Sequence, residues 1–440
     1  MNRVLLVNAN NNMALTVTRA LGRVGVPVVG VGWNDGGVGM ASRYLVGRYR
    51  LEDYHSLTAD VLLQMLGESQ ARYVMAVGED VLTHVNTLRG LMPASIKFLF
   101  PEAPVLARAI DKGQTIRYAR AVGIDCPTTF EVLTAADIDR VAAAASYPAV
   151  LKFPRSTGVA LPAPLRFGYR YVWSADELRR CLAAYAEYRV FPLVQEYVPG
   201  RGLGVELCMS AGQVACAFQH ERIHELPLSG GPGVYRRSVP LDPALLEQAV
   251  ALLRAMEWEG VAMVEFRRDS GYKRTVLMEV NGRFWGSLPL AVAAGANFPH
   301  VLYRTMGEGE RVTPTPYGIG VAMKQSVPHL RWFWDAFIRR HRLPPEGFMS
   351  RGLVLWEFLL SWDPRVRFDI EQWDDLRPAR KYWRQTLGKG LGAVRHVVGG
   401  PPSGWRRPAA IGVTNVSAAP HIEPGSEKLT TNLSQAGRPS

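Results

Sequence analysis

The chain has 440 residues, with 51 Lys and Arg against 39 Asp and Glu, for a formal net charge of +12. Hydrophobic residues make up 48% and charged residues 20%, which excludes a wholly disordered or fibrous chain. At roughly 100–200 residues per domain, the length predicts two to four domains that need no disulfide or metal staple. The charge is uneven: Val301–Ser440 carries 20 Lys/Arg, 12 Asp/Glu and seven of the 11 Trp. A nucleic-acid binder would spread its basic residues over a face of the main domain, so nucleic acid is not an expected partner. Cys126, Cys181, Cys208 and Cys216 form no CxxC pair and predict buried, reduced thiols in a cytoplasmic protein. No run of about 20 apolar residues exists, so no transmembrane helix is expected.

Val4–Val7 reads as a first buried strand, followed by the polar turn Asn8–Asn12 and a helical pattern through Ala14, Val17 and Leu21. Val28–Val31 is a second strand. This order predicts a parallel α/β unit, and the absence of GxGxxG argues against a dinucleotide site. Further elements at Tyr73–Val77 and Phe98–Phe100 complete a domain over residues 1–110. A helix is expected from Lys112 to Val122 and an Ala-rich one over Ala135–Ala145. Strands are expected at Ala149–Phe153 and Leu193–Tyr197, and a hairpin from Val205–Met209 with Gln213–His220 around Gly212. VAMVEF (Val261–Phe266) and VLMEV (Val276–Val280) are two more strands. Residues 311–400 read as mainly helical and basic. There Leu330, Phe333, Trp334, Phe337 and Ile338 fall on one predicted helix face. Residues 401–440 are rich in Pro, Gly, Ser and Asn and predict a disordered tail.

The most informative segment is MEVNGRFWGS, Met278–Ser287. Glu279 and Asn281 are two apart at a strand end, so their side chains face one way. Glu265 on the preceding strand adds a second carboxylate if the strands pair. Oxygen ligands of this kind suit Mg²⁺. Arg283 continues the alternation and can neutralise phosphate oxygens. A solvated strand end with an ordinary salt bridge is the competing reading of the same residues.

Five segments together resemble the ATP-grasp superfamily, in particular the ATP-binding half of the carbamoyl-phosphate synthetase large chain and the ATP-grasp carboxylate–amine ligases. They are DKGQTIRYARAVGIDCPTT (Asp111–Thr129), AVLKFP (Ala149–Pro154), VQEYVPGRG (Val194–Gly202), MVEF (Met263–Phe266) and MEVNGRFWGSLPLAVAAG (Met278–Gly295). The resemblance implies a mixed α/β and α+β architecture. A pre-ATP-grasp domain would occupy 1–110. A two-subdomain ATP-grasp fold would occupy 111–310, with a lid over 111–195 and a metal and phosphate subdomain over 196–310. A helical extension would follow. It implies that Lys112 and Lys152 hold ATP phosphates, and that Gln195, Glu196, Tyr197 and Val198 form the adenine-reading hinge. It further implies that Glu265, Glu279 and Asn281 bind Mg²⁺ (Mn²⁺ being an alternative), and that Arg283 contacts phosphate.

The implied activity is transfer of the ATP γ-phosphoryl group to a carboxylate, giving an acyl phosphate that an amine or thiol attacks. A kinase without ligation and a degenerate ATP-binding regulatory module are the alternatives. Two features depart from the family pattern. The stretch after Lys152 has only Gly158 and Gly168, although Arg155, Ser156 and Thr157 are available to phosphates. No acidic ribose ligand stands at Gly202–Leu203, and Glu206 is the substitute of matching strand parity. Phe218–Val239 resembles the stretch across the synthetase acceptor site. There His220, Arg222, Ser229, Gly230 and Gly231 are expected substrate contacts, with Arg222 and Arg237 joining Lys152 and Arg283 in catalysis. His220 and His224 are further sources of positive charge at lower pH. The expected partners are a small-molecule carboxylate and an amine or thiol. A homodimer, and a peripheral membrane contact through the C-terminal Trp/Arg helices, are the remaining options. In the competing reading those helices pack on the core with buried Trp rings.

Overall fold

The computed structural model describes residues 1–393, apart from 35, 155–160, 163–164, 166–167, 229, 270, 272–273 and 340–348. Its first layer is a five-stranded parallel sheet. In chain order the elements are β1 (Arg3–Val7), α1 (Asn12–Gly22), β2 (Val28–Trp33), β3 (Leu45–Leu51), α2 (Ala59–Ser69), β4 (Ala71–Ala76), α3 (Glu79–Leu88) and β5 (Lys97–Phe98). The strand order is β3-β2-β1-β4-β5. Val4, Leu5, Leu6 and Val7 are all buried, as expected of a parallel strand covered on both faces. The asparagine turn after β1 is used structurally. Asn11 caps α1 by accepting from the Ala14 amide, Asn8 donates to Val77 O and Asn10 donates to Trp33 O. Helices α4 (Ala103–Ile110) and α5 (Lys112–Ala121) lead out of this layer.

The second layer is a four-stranded antiparallel sheet in the order β6-β9-β7-β8. It comprises β6 (Thr129–Phe130), α6 (Asp137–Ala144), β7 (Ala149–Lys152), β8 (Arg170–Val172), α7 (Ala175–Ala183) and β9 (Leu193–Glu196). Ala149 and Leu151 pack with Val141, Leu178 and Leu182 of the two helices. Because successive strand residues alternate, Val150 and Lys152 are left to the opposite face.

The third layer is a seven-stranded sheet in the order β14-β13-β10-β11-β12-β15-β16. Its elements are β10 (Arg201–Ser210), β11 (Gln213–Glu225), β12 (Gly233–Ser238), α8 (Pro243–Ala255), β13 (Gly260–Arg268), β14 (Thr275–Asn281), α9 (Leu288–Ala293), α10 (Phe298–Leu302), β15 (Ala322–Lys324), α11 (Ser326–Phe337), α12 (Arg351–Leu360), β16 (Arg367–Phe368) and α13 (Leu376–Ala393). The expected hairpin is β10–β11, longer than the sequence pattern suggests, and it turns through Ala211 and Gly212 at positive φ.

The segment after residue 310 departs from expectation in two ways. It is not only helical, because β15 and β16 extend the central sheet beyond β12. It is also pinned to the first layer. Arg19 of α1 is 1% exposed, pairs with Asp375 at 3.1 Å and donates to the Ile370 and Asp375 carbonyls. The predicted apolar face of α11 is buried only in part: Phe333 and Phe337 are half-buried against Val234, Trp332, Ala336 and Val354. His329, Trp332 and Ala336 are buried, whereas Leu330, Trp334 and Ile338 are exposed. The helix packs on β11, β12 and α12, where His224 stacks on Trp332 beside Val234 and Val354, so the buried stripe includes His329 and Trp332, which hydrophobic periodicity alone does not select. Residues 401–440 lie outside the described residues.

Candidate active site

A cleft of about 360 Å³ opens between the four-stranded and seven-stranded sheets. The four-stranded sheet offers Val150, Lys152, Tyr169 and Tyr171, and the hinge offers Gln195, Glu196, Tyr197 and Val198. The seven-stranded sheet offers His220, Arg222, Arg236, Glu265, Arg267, Glu279 and Asn281, with Arg283 just beyond it. Lys112 enters from the first turn of α5, where its amide donates to Pro154 O at 3.0 Å.

Strand register explains the convergence. Gly204 on β10 pairs with His220 on one side and Glu265 on the other, and Glu265 pairs with Glu279. Directly opposed residues of an antiparallel sheet share a face. Glu279, Glu265 and His220 therefore stand in one row, with Gly204 in the gap. Asn281 follows Glu279 on the same face and donates to its Oε1 at 3.1 Å.

The charges in the row are mutually adjusted. Burial works to raise the Glu279 carboxyl, but Lys112, Lys152 and the Asn281 hydrogen bond outweigh it and hold it below its usual range. Burial and the Glu279 charge keep Glu265 above the usual range, although Arg222 opposes them. Arg222 clasps Glu265 with both terminal nitrogens, one at 2.7 Å, and also donates to Gly231 O at 3.1 Å. Lys152 is pushed down by burial, against the pull of both glutamates. At the hinge, Glu196 accepts from the Thr128 amide at 2.9 Å and from Arg274 at 2.6 Å. The Gln195 amide donates to Thr129, while its buried Oε1 has no partner among the described residues.

Most of the sequence-predicted residues line this cleft: Lys112, Lys152, Gln195, Glu196, Tyr197, Val198, His220, Arg222, Gly230, Gly231, Glu265, Glu279, Asn281 and Arg283. Two do not. Glu206 is fully buried beneath the cleft floor, 2.6 Å from His220 Nδ1, and is not placed to hold a ribose. Arg237 is half exposed and pairs with Glu221 on the far face of the sheet. Its neighbour Arg236 is the one opposite Arg222, and it lines the cleft, donating to Gly286 O and pairing with Asp369 at 2.5 Å. The sequence carried no signal for this choice, because the β11–β12 register depends on an irregular turn. His224 is also taken out of the cleft, stacked 3.4 Å from the Trp332 ring. Ser229, Arg155, Ser156 and Thr157 lie outside the described residues. Arg267, Tyr169 and Tyr171 were not singled out from the sequence, since nothing in their spacing distinguishes them from ordinary strand residues.

Two facing sheets, Lys152 on one with Lys112 beside it from α5, a carboxylate row on the other and a short hinge between them decide the fold. The chain has the ATP-grasp fold. A family model described as "ATP-grasp in the biosynthetic pathway with Ter operon" matches residues 190–327. Among solved structures, biotin carboxylase from Campylobacter jejuni in complex with β,γ-ATP aligns with TM-score 0.58 at 16% identity, covering 72% of this chain and 74% of that one. The biotin carboxylase domain of Hydrogenobacter thermophilus 2-oxoglutarate carboxylase, with MgADP and bicarbonate, aligns with TM-score 0.57 at 18% identity over 72% and 73%. L-amino acid ligase from Bacillus licheniformis aligns with TM-score 0.53 at 17% identity over 71% and 78%. No curated protein matches the chain by sequence.

Proposed function

We propose that the chain is an ADP-forming ligase that uses ATP to activate a small-molecule carboxylate as an acyl phosphate for attack by an amine or thiol. The observation that carries this reading is the meeting of Lys112 and Lys152 with Glu265, Glu279, Asn281, Arg222 and Arg283 in one cleft. The orphaned Gln195 Oε1 at the hinge fits a nucleobase amino group as its missing donor. Two neighbouring carboxylates and an amide oxygen fit Mg²⁺, which takes a few protein oxygens and completes its shell with water and phosphate. Glu265, Glu279 and Asn281 would hold it, and when bound it neutralises phosphate charge. Mn²⁺ is the alternative. Lys112, Lys152 and Arg283, which line the cleft, would position the transferring group, a reaction that needs positioning and charge rather than a protein nucleophile. The solved relatives that carry ATP analogues or MgADP support the nucleotide and metal assignment.

One observation favours a second reading, a catalytically degenerate ATP-binding module: the Arg222 side chain already occupies both Glu265 oxygens. An ADP-release screen of amino acids, peptides and sugar acids, each with and without an added amine or thiol, separates the two. Release that needs both components supports the ligase. Release with the carboxylate alone points to a kinase, and Mg²⁺-dependent ATP binding without turnover points to the module.

We place the protein in the cytoplasm with a peripheral membrane contact through α11 and α12. Among the described residues no helix is long and apolar enough to cross a membrane. The ten-residue α12 nevertheless leaves Leu353, Leu355, Trp356, Leu359 and Leu360 exposed, beside Trp334 and Ile338 of α11. Arg331, Arg339 and Arg351 sit on the same two helices or at their ends. Aromatic and aliphatic side chains flanked by arginine match an anionic lipid surface. Flotation with phosphatidylserine vesicles, lost in Trp334→Glu, is the expected result. Failure of wild type to float, with a dimer seen by sedimentation, would assign the face to a second copy instead.

A further inference from the structure

Two paired side chains at the cleft floor, His220 lining it and Glu206 beneath it, have no role in holding ATP or metal. Glu206 on β10 is 0% exposed and His220 on β11 is 1% exposed. Glu206 Oε1 stands 2.6 Å from His220 Nδ1, close enough to share a proton, although off the line of a straight hydrogen bond. The other Glu206 oxygen has no partner among the described residues. Burying a carboxylic group this completely is costly unless it is paired or neutral. The backbone makes room for the pair: a Cβ on Gly204 would come within 2.3 Å of His220 Cε1 and 2.9 Å of Glu206 Oε1. Glycine at 204 therefore lets the imidazole lie over β10 against the carboxyl.

The position of the pair gives it a purpose. His220 lines the cleft in the same row as Glu265 and Glu279, two strands from Glu265, a distance of about 10 Å. The hinge residues lie at the four-stranded sheet, whereas His220 sits on β11, paired with Ser238 at the far end of β12. With Nδ1 against Glu206, Nε2 is the ring nitrogen left for a molecule in the cleft.

We infer that Glu206 and His220 form a proton-accepting dyad, in which His220 deprotonates an incoming ammonium and Glu206 positions the imidazole. This rests on the ligase reading above and adds the acceptor class: an amine that arrives protonated. The ammonium gives one proton to His220 Nε2. Its freed lone pair forms the C–N bond to the acyl carbon, the acyl C–O bond breaks, and phosphate leaves with that electron pair and the second nitrogen proton. The groups facing the dyad are Arg222 of β11, Arg236 of β12, Glu265 of β13, Cys216 of β11, Ser287 after β14 and Tyr317. Burial raises the Glu206 carboxyl well above its ordinary range and, with Arg222 and Arg236 adding to it, holds His220 well below its own, so both enter the reaction neutral, with the imidazole proton on Nδ1 against Glu206 and Nε2 free to accept.

The test compares two nucleophiles on the same acyl phosphate. Hydroxylamine is largely unprotonated near neutral pH and needs no base, whereas the α-amino groups of the L-amino acids do. Wild type is screened for hydroxamate formation with amino acids, peptides and sugar acids as carboxylates, which tests the ligase reading by itself. For a carboxylate that reacts, His220→Asn should lower amine ligation by about 100-fold or more relative to hydroxamate formation, the usual contribution of a general base. Equal loss with both nucleophiles, or no loss with either, would overturn the dyad while leaving the ligase reading standing. No hydroxamate from wild type with any carboxylate would overturn both. If His220→Asn does not fold, the near-isosteric Glu206→Gln carries the comparison. It should show the same selective loss, smaller in size, and an unselective effect would overturn the dyad.

Discussion

Glu265 and Glu279 are direct cross-strand partners on β13 and β14, yet their carboxyls are pushed in opposite directions, Glu265 upward and Glu279 downward. The difference follows from their surroundings. Glu279 faces the two lysines and accepts from Asn281, while Glu265 takes the repulsion of its neighbour and leans on Arg222. Two like charges at this spacing persist in a buried row only because cations surround them. Replacing Glu279 with Ala should lower kcat at least about 100-fold, since phosphoryl transfer rests on such charge placement. Circular dichroism should show an unchanged fold. Unchanged turnover would defeat the metal-site assignment.

Arg222 is the counterion of that row. Removing one partner of a buried pair leaves the other charge unpaired, a cost of about 3–5 kcal/mol. Arg222→Met should therefore lower the urea-unfolding free energy by about that amount. Adding Glu265→Gln should recover much of it, because the stranded charge is then gone. Chemical denaturation of the two single variants and the double variant checks this.

Acid should loosen the contact between α11 and β11. His224 Nδ1 lies 2.9 Å from His329 Nε2, and His224 Nε2 lies 2.9 Å from Glu357. Burial pushes His329 down to about 3, with His224 and Lys324 acting in the same direction. An unfolded histidine titrates near about 6.5. Between those values the unfolded state binds the extra proton, so this contribution is fully present above about pH 6.5 and is lost as pH falls toward 3. The slope should reach about 1.4 kcal/mol per pH unit for this group. A pH series of urea melts should show it, and His329→Phe should flatten it.

Arg274 ties the β13–β14 turn to the hinge through Glu196 at 2.6 Å and Asp125 at 2.8 Å. Its removal should loosen the nucleobase end of the cleft while leaving the carboxylate row in place. Arg274→Ala should raise KM for ATP by about 10-fold with little change in kcat, the signature of lost uniform binding. Steady-state kinetics against ATP measures both terms.

The strands that build the cleft were legible because each carries its own signal. AVLK, MVEF and VLMEV are largely buried runs bounded by turn residues, and Glu279–Asn281 announces its face by spacing alone. What could not be read was set by partners far apart in the chain. The choice between Arg236 and Arg237 depends on the pairing of β12 with β11, which no local pattern fixes. Glu206 has the parity of a cleft residue, but His220 crosses over Gly204 and covers it. The burying face of α11 is decided by His224 and Tyr235 on the sheet beneath it. The C-terminal charge and tryptophans were visible by count. Their division between a buried Trp332 and an exposed Trp334 follows only from where β15 starts the helix.

The most direct test of the central claim is ADP release from MgATP by wild type and Glu279→Ala, measured with a carboxylate alone, an amine alone and both together. Wild type should release ADP only when both are present, and Glu279→Ala should release it at least about 100-fold more slowly. Release by wild type that ignores both additions, or equal release by the variant, would contradict the claim.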